Sequence, residues 1–546
     1  MRAGSSVVFQ GGSVFDGHRH RPGVGAVVSD GRVVQVATDT DLDRPAGAEV
    51  VDLRGGLLLP GFQDAHVHPV QGGLERLRCD LSEVDTREGY LAAIRAYADA
   101  NPDRPWIGGG GWSMTVFGPE GPTAAELDEV VPDRPVLLPN RDHHGGWVNS
   151  RALELAGIDR RTPDPVDGRI ERDADGNPTG TLHEGAMHLV EALVTGTTDD
   201  EYYQALLNAQ AYLHSLGITA WQEAILGDYA ALDDASSVYV RAAEEGVLTA
   251  RVRGALWWER DRGLEQVESL LERRKVHERG RFVPGAVKIM QDGIAENYTA
   301  GMSAPYLDGC GCATSNRGLS FVDPALLREA VVQLDAEGFQ VHFHAIGDRA
   351  VREALDAVEQ ARTTNGANDL RHHIAHIQVI RPEDRRRFAA LGVAANMQPL
   401  WAAYDEQMTE MTLPFLGPER ASWQYPFADL ARAGTRLAAG SDWPVSSPDP
   451  LAGIHVAVNR VVHGEAGRAG WEPFLPEQAL TLEQAFAAYT RGSAFVNHLD
   501  ETGTLAPGRL ADLAVLDRDP FLGETGRIAE AAVVSTWVDG ARVFEA

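Results

Sequence analysis

The sequence predicts an α/β fold: a (β/α)8 TIM-like barrel with a large insertion after strand 1 and a small β-sandwich domain built from both chain ends. Three observations predict it. Short apolar runs alternate with amphipathic stretches through the middle of the chain, the pattern of a parallel sheet covered by helices. Eight such runs can be counted, the number that closes a barrel. Two β-rich, glycine-punctuated segments flank everything else.

Taken in order, residues 6–9, 25–29, 32–37 and 49–52 read as short strands, with a hairpin turn at Asp30-Gly31. The far end has the same character at 512–516, 532–538 and 541–544, with a turn at Asp539-Gly540. The expected small domain therefore joins 1–58 to 501–546. Between them, 59–500 forms the barrel, with strands at 57–66, 218–222, 250–256, 286–290, 340–344, 373–376, 393–397 and 436–439. Amphipathic stretches at 199–216, 236–245, 264–278, 324–337, 350–361 and 382–391 supply the covering helices. The interval between the first two strands is far longer than a crossover needs. Residues 75–200 are read as a folded insertion over the barrel mouth, with helices at 90–100, 124–131 and 150–156 and an aromatic, glycine-rich piece, GGGGWSMTVFG.

Composition excludes several classes. The 546 residues suffice for one large domain and a smaller one, and 44% apolar with 23% charged residues is ordinary for a soluble globular protein. A formal net charge of −30 argues against nucleic acid and against an anionic membrane surface as partners. No apolar run approaches the ~20 residues of a membrane helix, and the opening stretch lacks the apolar core of a signal peptide. Three cysteines cannot build a disulfide framework. A reducing, cytoplasmic setting is expected, with a small-molecule substrate and a homodimeric assembly.

The chemistry starts at PGFQDAHVHP. His66 and His68 are two apart at a strand end, so their imidazoles point to one face and can address one ion. Placing polar residues at the other strand ends adds Lys288 in the fourth strand, His344 ending the fifth, His376 ending the sixth and Asp442 after the eighth. Catalytic groups of such barrels gather at the C-terminal strand ends. His342 faces the same side as His344 but deeper, and is expected to support rather than ligate. His372 and His373 belong to the opposite strand end. Asp64 and Glu223 are candidates for orienting ligands, and tryptophans including Trp401 and Trp443 for an apolar pocket.

The order His-x-His, Lys, His, His, Asp resembles the metal-dependent amidohydrolase superfamily. The strings PGFQDAHVHP, DHHGGWVNSRAL, VKIMQDG, HFHAIGDRA, HIQ and GSDWP are closer to its YtcJ-like branch, which includes N-substituted formamide deformylases. They are spread from residue 57 to 444. The resemblance implies a divalent metal cofactor, expected to be zinc, as one or two ions. His66 and His68 would hold the first ion, His344 and His376 a second. Lys288 would bridge both if carboxylated, since an ammonium has no lone pair to offer. Asp442 would complete the metal set and act as general acid/base, with Lys288 the other catalytic residue. His144 maps onto the branch's insertion histidine and, with Trp112 and Trp147, is expected to bind substrate. Gly145-Gly146 before Trp147 departs from the branch's string and leaves the pocket's shape open.

The implied activity is hydrolysis of a C–N bond other than a peptide bond, in an amide such as an N-formyl or N-acyl amine, by a metal-activated hydroxide. The same chemistry would open a cyclic imide, urea, lactone or other ester, and chain features do not separate these. The reading from another class, a metal-free barrel that binds without catalysis, requires lost ligands, whereas all six positions are filled here.

Overall fold

The computed structural model describes residues 6–82, 84–118, 121–194, 197–229, 232–467 and 472–546. Its centre is one eight-stranded parallel sheet whose strands follow one another in chain order: β1 (Phe62–Val67), β2 (Ile218–Leu226), β3 (Arg251–Trp257), β4 (Phe282–Met290), β5 (Gln340–Ala345), β6 (His373–His376), β7 (Ala394–Met397) and β8 (Leu437–Ala439). All eight expected barrel strands are present. Helices such as Pro324–Ala336 and Asp348–Asn365 cover the outside, burying Leu327, Leu334, Val351 and Leu355 against the sheet. No helix among the described residues is long and apolar enough to cross a membrane.

The first and last strands meet through their C-terminal extensions. Asp442 N donates to His66 O (2.8 Å), His68 N to Trp443 O (2.9 Å) and Asn396 Nδ2 to Ala65 O (2.9 Å). Asp64 adds a clamp, its carboxylate accepting from His66 N (2.9 Å) and Ser441 N (3.1 Å). A Cβ on Gly440 would stand 2.6 Å from His66 N, so the seam is too tight for a side chain there. The loop that carries Asp442 is thus also the loop that brings the barrel's two ends together.

One strand differs from its expected form. The apolar run at 57–66 is divided at Gly61: Leu57–Pro60 belongs to another sheet, and β1 begins at Phe62. Pro60 has no N–H to continue a ladder, and Gly61 N turns to Asp512 O (2.8 Å). Hydrophobicity alone does not mark the division, because both halves are fully buried, each in a different sheet.

That other sheet has six strands, ordered Ala541–Glu545, Val533–Val538, Leu513–Leu516, Leu57–Pro60, Ser13–Phe15 and His20–Pro22. It joins the two chain ends, with Leu57–Pro60 held antiparallel to Leu513–Leu516 on one side and parallel to Ser13–Phe15 on the other. A four-stranded sheet of N-terminal strands faces it across a core that includes Val7, Phe9, Val28, Leu58, Leu513 and Trp537.

The stretch between β1 and β2 holds the expected helices, observed at Arg87–Ala100, Ala124–Val130 and Ser150–Ala156. It also has a six-stranded sheet of its own, from Gly168–Arg172 at one edge to Cys79–Asp80 at the other. These strands are two to seven residues long and rich in glycine, which hid them in the sequence.

Gly61 supplies a test of the divided strand. A Cβ there would lie 2.4 Å from the side chain of the barrel residue Thr219. Gly61→Ala is expected to destabilise the fold by about 1–3 kcal/mol through overpacking, read as a lowered denaturation midpoint. Adding Thr219→Ala should restore most of the loss, and no recovery would show that the strain lies elsewhere.

Candidate active site

The C-terminal ends of the barrel strands place several of the sequence-selected residues side by side. Asp442, just past β8, is the hub. Its Oδ1 lies 3.0 Å from His66 Nε2 and 3.1 Å from His68 Nε2, and its Oδ2 lies 3.8 Å from His376 Nδ1. Lys288 Nζ, on β4, is 3.4 Å from His66 Nε2. His344 joins through its ring, whose centroid is 4.3 Å from that of His376, while its Nε2 faces Gly293 O (3.4 Å) and Asp292 Oδ1 (3.6 Å). The six positions thus form one contiguous cluster, with His344 at its margin.

Backbone conformation contributes to this placement. Asp442 (φ 58°) and His376 (φ 74°) occupy the left-handed region, uncommon for residues with a side chain. Each is held by its amide: Asp442 N by His66 O, and His376 N by Gln398 Oε1 at 2.7 Å.

Burial governs the charges. It pushes the His66 imidazole down to about 3, with Lys288 adding to the effect, and holds His344 and His376 well below the ordinary imidazole range. Burial likewise brings the Lys288 ammonium down to about 7. Asp442 is the exception: burial opposes its charge, yet His66 and His68 beside it keep its carboxyl well below the usual range. Asp442 is therefore an ionised carboxylate beside the neutral imidazoles of His66 and His376, with His344 neutral at the margin.

That donor set fits a divalent cation. His66, His376 and Asp442 each offer one ligand atom, all within 4.8 Å of one another. His376 Nδ1 is buried without a hydrogen-bond partner, a lone acceptor or donor beside a carboxylate that a metal would satisfy. Behind His66, Nδ1 meets His342 Nε2 at 2.8 Å. The chain of contacts continues to His373, whose Nε2 meets Gln222 Oε1 (2.9 Å), and from Gln222 Nε2 to Gln340 Oε1 (2.9 Å). A polar column inside the barrel thus fixes the ring of His66 from behind, the support that metal-binding imidazoles commonly have. His372 is tied to Asp335 (2.8 Å) at the opposite strand end.

The insertion reaches this cluster through His144, whose ring centroid is 5.8 Å from that of His344. Glu184, which the sequence reading did not single out, accepts from His144 Nδ1 at 2.8 Å and from Thr299 Oγ1 at 2.6 Å. Burial opposes a charge on His144, but Glu184 outweighs it and raises the imidazole to about 9. It ends the strand Pro178–Glu184, whose mostly polar sequence PTGTLHE gave no signal to find it by.

Trp112 and Trp147 require correction. Expected at the substrate, they are 1% and 0% exposed inside the insertion's own core, 6.2 Å apart with Phe117 against both. Their indole N–H groups are spent on Leu138 O and Thr123 O. Neither ring lines the two cavities at the barrel mouth. The tryptophans that do are Trp401, stacked on His376 with planes 8° apart, and Trp443. A tryptophan's large apolar surface serves a core as well as a pocket, and the sequence does not tell the two apart.

Comparisons with known proteins point to one family. The model of the family described as "Amidohydrolase family" matches residues 49–544. The putative amidohydrolase YtcJ of Bacillus subtilis is 32% identical over 500 residues, 91% of this chain and 90% of that protein. The N-substituted formamide deformylase of Arthrobacter pascens is 28% identical over 549 residues, 95% of this chain and 94% of that one. Among solved structures, an uncharacterized metal-dependent hydrolase from Pyrococcus horikoshii superposes with a TM-score of 0.73 at 26% identity, covering 96% of this chain and 99% of its own.

The His144–Glu184 pair carries a pH signature. Because the folded state raises the imidazole from 6.5 to about 9, the pair's stabilisation is fully present below pH 6.5 and is lost as pH rises through about 9. Glu184→Gln should cost stability at pH 6 and much less at pH 9.5. Denaturant unfolding of both proteins at the two pH values measures this, and an equal gap at both would show that His144 is not held charged.

Proposed function

This chain belongs to the amidohydrolase family, a metal-dependent hydrolase acting on C–N bonds, and from that premise we propose that it cleaves the amide bond of an N-formyl or N-acyl amine. The observation that carries the proposal is Asp442, ionised and buried within 3.0–3.8 Å of nitrogen atoms of His66, His68 and His376 at the mouth of the barrel. The substrate class draws on the formamide-deformylase relative.

A bound divalent ion, proposed to be zinc, would polarise the scissile carbonyl and acidify a water molecule. His66, His68 and Asp442 would hold it, and His344 and His376 a second ion where one binds, with Lys288 serving as ligand once its amine has added CO2 and lost a proton to become a carbamate. The remaining work falls to side chains. Asp442 takes the proton released by the attacking water and returns it to the amide nitrogen, which leaves poorly unless protonated. His144, charged and aimed at the cluster from the insertion, stabilises the carbonyl oxygen as negative charge grows there. Trp401, stacked on His376, excludes water from one flank. A cytoplasmic location suits the free thiols of Cys310 and Cys312, both exposed.

Two experiments test this. Protein stripped with a chelator should lose hydrolysis of N-benzylformamide and recover it with zinc, and Asp442→Asn should fall by about 10²–10⁴-fold; turnover of esters with silence across all amides would overturn the substrate class. For Lys288, the intact mass of the native protein should exceed the sequence mass by one carboxyl group and return to it after acid. Lys288→Ala should bind less metal and regain part of its activity with added propionate. An unmodified lysine and full metal content in Lys288→Ala would remove it from the site.

A further inference from the structure

On the reading that this site hydrolyses an N-acyl amine, we propose that the cavity outside it takes a cationic substituent of the substrate, so that the preferred substrates are N-acyl amines bearing a second, protonated amine. The cavity has a volume of about 410 Å³. It shares Asp142, Ile294, Ile346, Trp401 and Val445 with the pocket formed by the histidine cluster, so one ligand can extend through both.

Its wall is acidic. Glu75, Asp80, Asp142, Glu296 and Asp405 line it, and the hydrogen bonds described for them come from amide and hydroxyl donors. Glu75 accepts from Gln71 Nε2 (3.3 Å) and faces His143 (3.5 Å), whose imidazole burial keeps neutral at about 3. Asp80 accepts from the Ser82 hydroxyl and N–H (2.6 and 2.9 Å), and Asp142 from His144 N (3.1 Å). Glu296 accepts from the Thr412 hydroxyl (2.6 Å) and Asp405 from Met408 N (2.6 Å). The two cations on the wall are turned to other partners: Arg76 lies over the Tyr212 ring (4.1 Å) and bonds Asn208, while Arg141 bonds Ser82 O (3.1 Å). Burial raises the carboxyls of Glu75, to about 8, and of Asp142, Glu296 and Asp405, and it outweighs the opposing charges of Arg78 near Glu75, His144 beside Asp142 and Arg141 near Asp405.

A second observation points to a donor rather than an apolar guest. Gln378 is 3% exposed and lies on the cavity wall. Its amide nitrogen donates to Gln424 Oε1 (2.8 Å), and its own Oε1 has no hydrogen-bond partner among the described residues. That oxygen is therefore free to accept from a guest in the cavity, and an ammonium carries three donors. Trp401, Trp443 and Tyr425 contribute aromatic rings to the same wall.

The test compares N-formyl-4-(aminomethyl)benzylamine with its neutral match, N-formyl-4-(hydroxymethyl)benzylamine, on the zinc-loaded protein. In parallel, calorimetry measures binding of benzylamine and of benzyl alcohol, independently of turnover. The expected results are a kcat/KM at least tenfold higher for the aminomethyl compound, and benzylamine binding at least tenfold tighter than benzyl alcohol. Both preferences should shrink in Asp405→Asn and further in Asp405→Asn/Glu296→Gln, and as salt rises from about 50 to 500 mM. Equal kcat/KM for the matched pair overturns the proposal and leaves the hydrolase reading intact. If no formamide is cleaved but benzylamine still binds in an Asp405-dependent way, the hydrolase reading falls and the cation site stands. Equal binding of benzylamine and benzyl alcohol without turnover overturns both.

Discussion

The structure depends on how one buried carboxylate is kept ionised. Asp442 is 5% exposed, and such a charge survives burial only where positive or donating partners surround it. The imidazoles of His66 and His68 do so here, at the end of the first barrel strand, with His376 of the sixth strand 3.8 Å away. The amide of the same residue bonds His66 O, so the contact that assembles the chemical cluster is also one that joins the first barrel strand to the last. Closing the barrel and forming the site are one event. The left-handed backbone at Asp442 and His376 shows that the fold tolerates local strain to bring these groups inward.

Much of this was legible in the sequence because barrel chemistry has a fixed address. A polar residue at the C-terminal end of an apolar strand stands out against its neighbours, and His66, Lys288, His344 and His376 all do. The strands themselves were marked by alternation with helices whose apolar stripes repeat every three to four residues. What escaped was of two kinds. Leu57–Pro60 and Phe62–Val67 form an unbroken apolar run that serves two sheets, and apolar character does not say which sheet buries it. The insertion's strands are short and carry glycines such as Gly108, Gly109, Gly145 and Gly146, so neither alternation nor β-branched enrichment revealed them. Side-chain partnerships across elements were also invisible: nothing in the spacing of Glu184 and His144, or of Asp405 and Asp142, announces that they share a wall.

The insertion gives a common barrel its own character. Its sheet holds His144 over the histidine cluster, and Asn297 Nδ2 fastens the carbonyl of that residue at 2.9 Å. Its tryptophans are spent on rigidity, giving the insertion an aromatic core of its own. The surfaces that a ligand would touch are shared: Glu75, Asp80 and Asp142 come from the insertion, and Trp401, Trp443 and Gln378 from loops after the barrel strands.

The sheet that joins the chain ends has a consequence for biosynthesis. Leu57–Pro60 is made early, yet its antiparallel neighbour Leu513–Leu516 is translated some 450 residues later, an interval of roughly 25–90 s at ordinary ribosomal speed. Throughout that time one side of an apolar strand offers unpaired N–H and C=O groups to any passing chain, the template from which aggregates grow. The nascent protein therefore needs a chaperone's cover, or a rapidly closing barrel, to guard that edge until its last segment leaves the ribosome.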